Sequence, residues 1–300
     1  MVSWQGRLLR VIFRLRRVLS PRPETLDVAR NRSETEALAS YYPPRVEPTC
    51  TPTDAGGVPA EWIDGPRSEP GKVILFLHGG AYNSGSVQSH RPLAVSVANA
   101  AHARVLLLDY RLAPEHPFPA AVKDTLAAYR WLLESGVAPG RIVVAGDSCG
   151  GGMVVALLVS LRDAGEPLPA AGVCLSPWTD LTCTGGSWET NASRELLIDP
   201  EPLRQAALLY LGDADPRTPL ASPLFADLGG LPPLLIQVGS DELLLSDATG
   251  LAERAKAAGV DVTLEVWEGM QHEWQFAIRM LPEARQAVQR IGQFIQDRLR

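Results

Sequence analysis

Ser148 is the side chain most open to chemistry in this sequence, because of what brackets it. Gly146-Asp147-Ser148-Cys149-Gly150 comes after a short apolar run, residues 142–145, and precedes Gly151-Gly152 and a second apolar run, residues 153–159. The first run has the length of a buried strand, and the second, extended to about residue 163, that of a helix. A Gly-x-Ser-x-Gly between strand and helix predicts a strained turn that projects the serine hydroxyl at the sheet edge, above the amino end of a helix. Gly146 and Gly150 suit such a turn because side chains there would meet the adjacent strand and helix. The alternative is a glycine-rich turn that merely packs a helix on a sheet.

A serine hydroxyl is a poor nucleophile and needs a base, and the base needs an orienting acid. Residues 234–238 read as a strand that ends in Gly239-Ser240-Asp241, and residues 262–267 as one that ends in Glu268-Gly269-Met270-Gln271-His272. In a parallel sheet both groups leave at the same edge as Ser148. Their order along the chain, Ser148, Asp241, His272, is that of α/β hydrolases. Asp241 is expected as the acid because it is the first carboxylate after its strand, with Glu242 and Asp247 as nearby alternatives. His272 is expected as the base. His78 also ends a strand, but it precedes Gly79-Gly80-Ala81 and is expected to order that loop through its own hydrogen bonds. His90 and His102 flank or lie in a helix, and His116 sits in a proline-rich loop. Cys149 is out of register with the bracketing glycines and is expected to pack rather than react.

Acyl transfer also needs donors for the oxyanion. The small residues of His78-Gly79-Gly80-Ala81 let backbone N–H groups approach a substrate oxygen. A further donor is the N–H of Cys149, just after the nucleophile and at a helix start, where N–H groups are free.

The elements that must position these groups form a regular series. Apolar strands are expected at 73–77, 105–108, 142–145, 172–175, 234–238 and 262–267. Helices are expected at 92–101, 119–134, 150–163, 246–258 and 282–299, and weak strands near 45–51 and 58–63. Buried strands alternating with helices mean a parallel sheet covered on both faces. The stretch of almost 60 residues between the strands near Leu175 and Leu234 breaks the rhythm. It reads as an insertion after a strand's carboxyl end, the edge where open α/β sheets bind ligands, and so as a lid.

Residues 3–19 read as an amphipathic helix, stopped by Pro21 and Pro23. Trp4, Leu8, Val11, Ile12, Leu15, Val18 and Leu19 share one face, with Arg7, Arg10, Arg14 and Arg17 in a stripe beside it. Two readings are open: a membrane-surface helix, or a helix whose apolar face packs on its own protein with the arginines in water. The second is expected, with a further helix within 24–41.

The 300 residues, 46% hydrophobic, suffice for one large α/β domain. The net charge of −6 gives no footing for nucleic acid. It divides into +5 on the first 20 residues and −11 on the remainder. The four cysteines, Cys50, Cys149, Cys174 and Cys183, have no metal-ligand spacing. They read as free thiols in a reducing cytoplasm. No apolar stretch is long enough for a membrane span, and the arginine-broken start is not a convincing signal peptide.

These residues together resemble the bacterial hormone-sensitive-lipase-like carboxylesterases, a family of α/β hydrolases, over about residues 70–295. His78-Gly79-Gly80-Ala81 is similar to the family's His-Gly-Gly-Gly. Residues 109–121, Asp109-Tyr110-Arg111-Leu112-Ala113-Pro114-Glu115-His116-Pro117-Phe118-Pro119-Ala120-Ala121, match a family signature. Gly146-Asp147-Ser148-Cys149-Gly150-Gly151 resembles Gly-Asp-Ser-Ala-Gly-Gly, and Ser176-Pro177-Trp178-Thr179-Asp180-Leu181 also fits. The resemblance implies an α/β-hydrolase fold: a mostly parallel central sheet, helices on both faces and a helical cap. It implies cap helices within 1–45 and a catalytic domain over 46–300 with a cap insertion at about 180–225. It implies ester hydrolysis by Ser148, Asp241 and His272, with Gly80, Ala81 and Cys149 as oxyanion donors. His78, Gly79, Gly146 and Gly150 support the motifs, and no metal or organic cofactor is needed. It implies a small ester substrate, a homodimer in some members, and a supporting role for the Tyr110–Pro119 loop. Ala81 in place of glycine and Cys149 in place of alanine depart from the pattern and bear on rate and acyl size. A lactone hydrolase of the monoterpene type with the same triad, and a non-catalytic ligand-binding protein on this fold, are the rival readings.

Overall fold

The computed structural model describes residues 2–19, 24–43 and 47–299; Pro21 and Pro23, expected to stop the first helix, lie outside them. Two helices come first, α1 (Trp4–Leu19) and α2 (Val28–Tyr41), then a hairpin of β1 (Thr49–Asp54) and β2 (Pro59–Asp64). The repeating units come next: β3 (Glu69–Leu77), α3 (Val87–Ala101), β4 (Ala103–Leu108), α4 (Ala120–Glu134), β5 (Ile142–Asp147), α5 (Cys149–Asp163) and β6 (Ala171–Leu175). After β6 the chain leaves the sheet for α6 (Ser187–Thr190) and α7 (Pro200–Leu211). It returns as β7 (Leu234–Gly239), α8 (Leu245–Ala257), β8 (Val262–Trp267) and α9 (Pro282–Arg298).

The described strands form one sheet in the order β1-β2-β4-β3-β5-β6-β7-β8. Pairing is antiparallel for β1 with β2 and β2 with β4, and parallel across the other five contacts. The continuous apolar runs arise from burial on both faces, since alternate side chains go to opposite layers. Leu75, Leu77, Val144 and Ile236 pack with α5 and α8 on one side. Ile74, Phe76, Val143 and Val173 pack with α3 and α9 on the other. Helix α3 starts five residues before Pro92, where the sequence places its beginning. Ser86 caps it, accepting from Gln88 N–H (3.0 Å) and Ser89 N–H (3.3 Å), while Ser89 Oγ accepts from Ser86 N–H (2.9 Å). This reciprocal cap outweighs the proline as a start signal.

The order β4-β3-β5 places a switch point between β3 and β5, with Leu77 in register with Gly146. The loop after β3 and the turn after β5 therefore emerge side by side at the carboxyl edge, where such sheets bind ligands. Two glycines allow the approach. A Cβ on Gly150 would lie 2.0 Å from the Leu77 carbonyl oxygen, and one on Gly146 would lie 2.5 Å from the Gly150 carbonyl oxygen.

Helix α1 docks the opposite way to expectation. Its inward row is Gly6, Arg10, Phe13 and Arg17, with Ser3 just ahead of the helix on the same side. Ser3 N–H and Oγ–H donate to the Glu283 carboxylate (2.6 and 2.9 Å), Arg10 pairs with Asp241 (2.7 Å), and Arg17 binds the Glu195 carbonyl and the Asp199 carboxylate. The apolar row faces outward, with Trp4, Leu8, Val11, Leu15 and Val18 all exposed. The reading that buries this row and leaves the arginines in water is corrected. The body offers carboxylates and a carbonyl to that helix, and these take its cations.

Gly150→Ala is expected to destabilise the fold by at least about 2 kcal/mol, because backbone must move to admit the methyl. Gly140→Ala, where nothing lies within 4 Å, is expected to stay within about 0.5 kcal/mol of the parent. Denaturant midpoints at constant slope check both; equal midpoints for the two variants would contradict the contact.

Candidate active site

Ser148 sits between β5 and α5 at φ 52°, ψ −121°, outside the regions favoured by residues with side chains. The strain is held by three hydrogen bonds. Its N–H donates to the Leu175 carbonyl (2.8 Å), and its own carbonyl accepts from Trp178 N–H (2.9 Å) and Gly152 N–H (3.2 Å). The hydroxyl lies 3.1 Å from His272 Nε2. His272 is carried by the loop after β8, where Gly269 N–H donates to Ser240 Oγ (2.8 Å).

The carboxylate behind the imidazole is Glu242. Its Oε2 is 3.0 Å from His272 Nδ1, and its Oε1 accepts from Gly239 N–H (2.6 Å) and Ser176 Oγ–H (2.8 Å). An ionised Glu242 fixes the ring proton on Nδ1 and leaves Nε2 free to accept from Ser148. Asp241, the expected acid, does not face His272; its carboxylate turns the other way, to Arg10. Consecutive residues of a tight turn point in different directions, and the turn is pinned so that the longer side chain reaches inward: Asn191 Nδ2 donates to the Ser240 (3.0 Å) and Glu242 (2.9 Å) carbonyls. The other alternative, Asp247, accepts from the N–H groups of Thr179 and Asp180 (both 2.9 Å) and anchors that loop.

A family description, alpha/beta hydrolase fold, matches residues 74–276. An acetyl-hydrolase of Streptomyces hygroscopicus is 54% identical over 240 residues, covering 80% of each chain. An esterase of Acinetobacter venetianus is 37% identical over 275 residues, covering 91% of this chain and 90% of its own. The solved structure of an esterase from the bacterial hormone-sensitive lipase family superposes with a TM-score of 0.94 at 50% identity over 100% of both chains. The chain belongs to the α/β-hydrolase fold family. Within it, this hydrolase falls with the bacterial hormone-sensitive-lipase-like esterases and is a carboxylic ester hydrolase.

The loop after β3 wraps the hydrolase's serine turn. His78 is buried, its Nδ1 2.7 Å from the Gly79 carbonyl oxygen, and its ring stacks on Tyr110 at 4.2 Å. Burial, with His90 beside it, drops its pKa to about 3, so it stays neutral and orders the loop. Gly79 N–H is spent on Asp147 Oδ2 (3.0 Å). Gly80 and Ala81 instead line an open cavity of about 650 Å³ together with Ser148 and His272. Ala81 holds φ 54°, a region where glycine rests without strain, so the departure from glycine adds strain as well as a methyl. The first bond within α5 is donated by Gly152, so Cys149 N–H precedes the helical ladder. The Cys149 thiol points away from the cavity: Sγ accepts from Tyr82 N–H (3.2 Å) and contacts the Tyr110 hydroxyl (3.7 Å). Burial pushes its pKa to about 12, which makes it a packing group and not a nucleophile. The Tyr110–Pro119 loop buttresses this arrangement, with Tyr110 Oη–H donating to the His78 carbonyl (2.7 Å) and Ala113 N–H to that of Tyr82 (2.9 Å). All four cysteines are free. Among the described residues no group of histidines, cysteines and carboxylates could hold a metal ion.

Glu273 is a site residue that sequence reasoning missed. It holds φ 54°, and its Oε1 lies 3.5 Å from His272 Nε2, beyond hydrogen-bond range. Burial, then the Asp147 carboxylate, holds Glu273 well above the usual carboxylate range. Burial also works against an ionised Asp147, but His90, 3.1 Å away, and a hydrogen bond with Glu273 pull it down. Glu195, buried beneath α1, is pushed by burial up to about 7. For His272, burial favours the neutral ring, but Glu273, Glu242 and Glu195 outweigh it and push the pKa up to about 10. The only sequence signal for Glu273 was its adjacency to the histidine.

Glu242→Gln is expected to lower kcat by about 10⁴-fold, as when a triad acid loses its charge and the imidazole its tautomer. Asp241→Asn should stay within about 10-fold of the parent, since truncating its charge leaves the Glu242–His272–Ser148 line in place. Steady-state kinetics on a soluble ester separate them, and the reverse ranking would return the role to Asp241. The base must be neutral to act. A raised His272 pKa therefore puts the acid limb of kcat/KM above the ordinary histidine value of about 6.5, with rate gained as pH rises through it. A pH–rate profile whose acid limb lies at or below that value would contradict the excess of carboxylates around the ring.

Proposed function

We propose that this hydrolase is a serine carboxylesterase of short-acyl esters, with Ser148 as nucleophile, His272 as general base and acid, and Glu242 as the orienting carboxylate. The observation that carries the proposal is the buried line from Glu242 through His272 to Ser148, with gaps of 3.0 and 3.1 Å. Ser148 Oγ attacks the ester carbonyl carbon as His272 Nε2 takes its proton, and Glu242 stabilises the imidazolium. The negative charge that develops on the carbonyl oxygen is met by the N–H groups of Gly80, Ala81 and Cys149, each worth roughly 10²–10³ in turnover by analogy with other oxyanion donors. The tetrahedral adduct collapses, the C–O bond breaks, and His272 gives its proton to the departing alkoxide. Water then attacks the acyl-enzyme with His272 again taking the proton. Collapse of that adduct frees the carboxylic acid and returns a proton to Ser148 Oγ.

Two features support a short acyl group. Ala81 lines the same cavity as Ser148, and a glycine at that position would occupy less space. The relative from Streptomyces hygroscopicus, 54% identical, is named an acetyl-hydrolase.

Ser148→Ala is expected to lower hydrolysis of p-nitrophenyl acetate by at least about 10⁴-fold with an unchanged circular dichroism spectrum. The parent should hydrolyse acetyl and butyryl esters faster than octanoyl esters and faster than ε-lactones. Turnover near the parent's in Ser148→Ala would refute the mechanism. A panel led by ε-lactones would move the assignment to a lactone hydrolase with the same triad.

A further inference from the structure

We propose that the outward face of α1 is a docking surface for an anionic lipid membrane, holding the cavity mouth against the lipid surface. Trp4, Leu8, Val11, Leu15 and Val18 recur at steps of four and three along the helix and so form one stripe. They are between 51% and 76% exposed. A monomer rarely leaves so continuous a row of large apolar side chains in water without a binding role.

The helix cannot turn this row inward without breaking its own contacts. Its inner row is already committed, Ser3 to Glu283, Arg10 to Asp241, Arg17 to Asp199, and Gly6 is packed close to Met270. The row therefore needs a partner from outside. The flanks say which one. Arg7, Arg14 and Arg16 are exposed beside the stripe, and α1 contains no acidic residue. A basic amphipathic helix with tryptophan at one end matches the interface of an anionic bilayer, where the apolar row enters the acyl boundary and the cations meet headgroup phosphates. Of the five arginines, Arg10 and Arg17 face inward, and a second copy docking through the same face would set the exposed Arg7, Arg14 and Arg16 of one chain against those of another. With 16 residues and those five charges, the helix lies in the interface plane and does not cross it.

The position of α1 gives the docking a consequence. Phe13, Arg16 and Arg17 line the cavity that holds Ser148 and His272. Tyr41 and Met280, which line the same cavity, are themselves 67% and 45% exposed. A surface bound to α1 therefore lies beside the cavity mouth.

Vesicle flotation of the full chain tests this. With vesicles of phosphatidylcholine containing about 30% phosphatidylglycerol, the protein should float, and with phosphatidylcholine alone its partition should be at least about 10-fold weaker. Leu8→Gln with Leu15→Gln, and separately Arg7→Gln with Arg14→Gln, should each weaken partition to the anionic vesicles by at least about 10-fold. These exposed side chains lie outside the catalytic cavity, so hydrolysis of a short soluble ester should stay within about 2-fold and the circular dichroism unchanged. Hydrolysis also reports on the triad separately from membrane binding. Failure of the parent chain to float with either vesicle would overturn the proposal. So would equal partition of parent and variants. Sedimentation equilibrium showing a dimer that the leucine variant splits, with no vesicle binding, would assign the face to self-association instead.

Discussion

The site depends on one buried charge. Glu242 is wholly out of contact with water, and an ionised carboxylate in that position costs several kcal/mol unless its oxygens are matched. Its oxygens meet Gly239 N–H, the Ser176 hydroxyl and the His272 ring. Those donors sit at or just beyond the ends of β7, β6 and β8. Satisfying the charge and holding three strand ends in register are therefore the same act. A hydrogen bond lost here would leave a buried acceptor unmatched as well as loosen the imidazole.

A second cluster governs the other half of the site. Asp147 binds Gly79 N–H, which anchors the loop that brings Gly80 and Ala81 to the cavity. Burial beside Asp147 holds Glu273 well above the usual carboxylate range, while His90 holds Asp147 down, so the two neighbouring carboxyl groups are driven apart in acidity. The backbone at Ala81, Ser148, Ser176 and Glu273 is left-handed, all four at the carboxyl edge of the sheet. Such strain costs of order 1–3 kcal/mol per residue and persists where surrounding contacts over-determine it. Here the contacts are the close approach at Gly150 and the stacking of Tyr82 on Tyr210 of α7 at 3.6 Å. The insertion between β6 and β7 thus braces the loop it covers.

Much of this was legible in the residues. Strands buried on both faces read as unbroken apolar runs, so β3 through β7 could be placed to within a few residues. Ser148 and His272 lie just past strand ends, and strand ends of a parallel sheet converge. Which carboxylate faces His272 was not legible, because Asp241 and Glu242 are adjacent in one turn and only side-chain direction separates them. That direction depends on Asn191, which pins the turn, and on Arg10, which takes the Asp241 carboxylate. Both are distant in sequence. Glu273 was hidden for a related reason: a carboxyl beside the histidine becomes informative only once Asp147 is seen against it. The start of α3 was misplaced because a proline inside a helix resembles a proline at its beginning.

The period of α1 was equally legible, and its orientation was not. Amphipathic spacing says that two faces differ but not which one the body will take. The partners here are Asp241, Asp199 and the Glu195 carbonyl, so the body takes the arginines. The pairs of Arg10 and Arg17 are partly exposed, and such pairs contribute about 0–1 kcal/mol each. Fully burying a large apolar side chain contributes about 1.5–3 kcal/mol. The docked helix therefore leaves most of its burial energy unused on its outer face, while its inner face holds it in place through Asp241, the residue next to Glu242. A surface that covers the outer row acts on a helix already joined to the turn that carries Glu242, without having to detach it first.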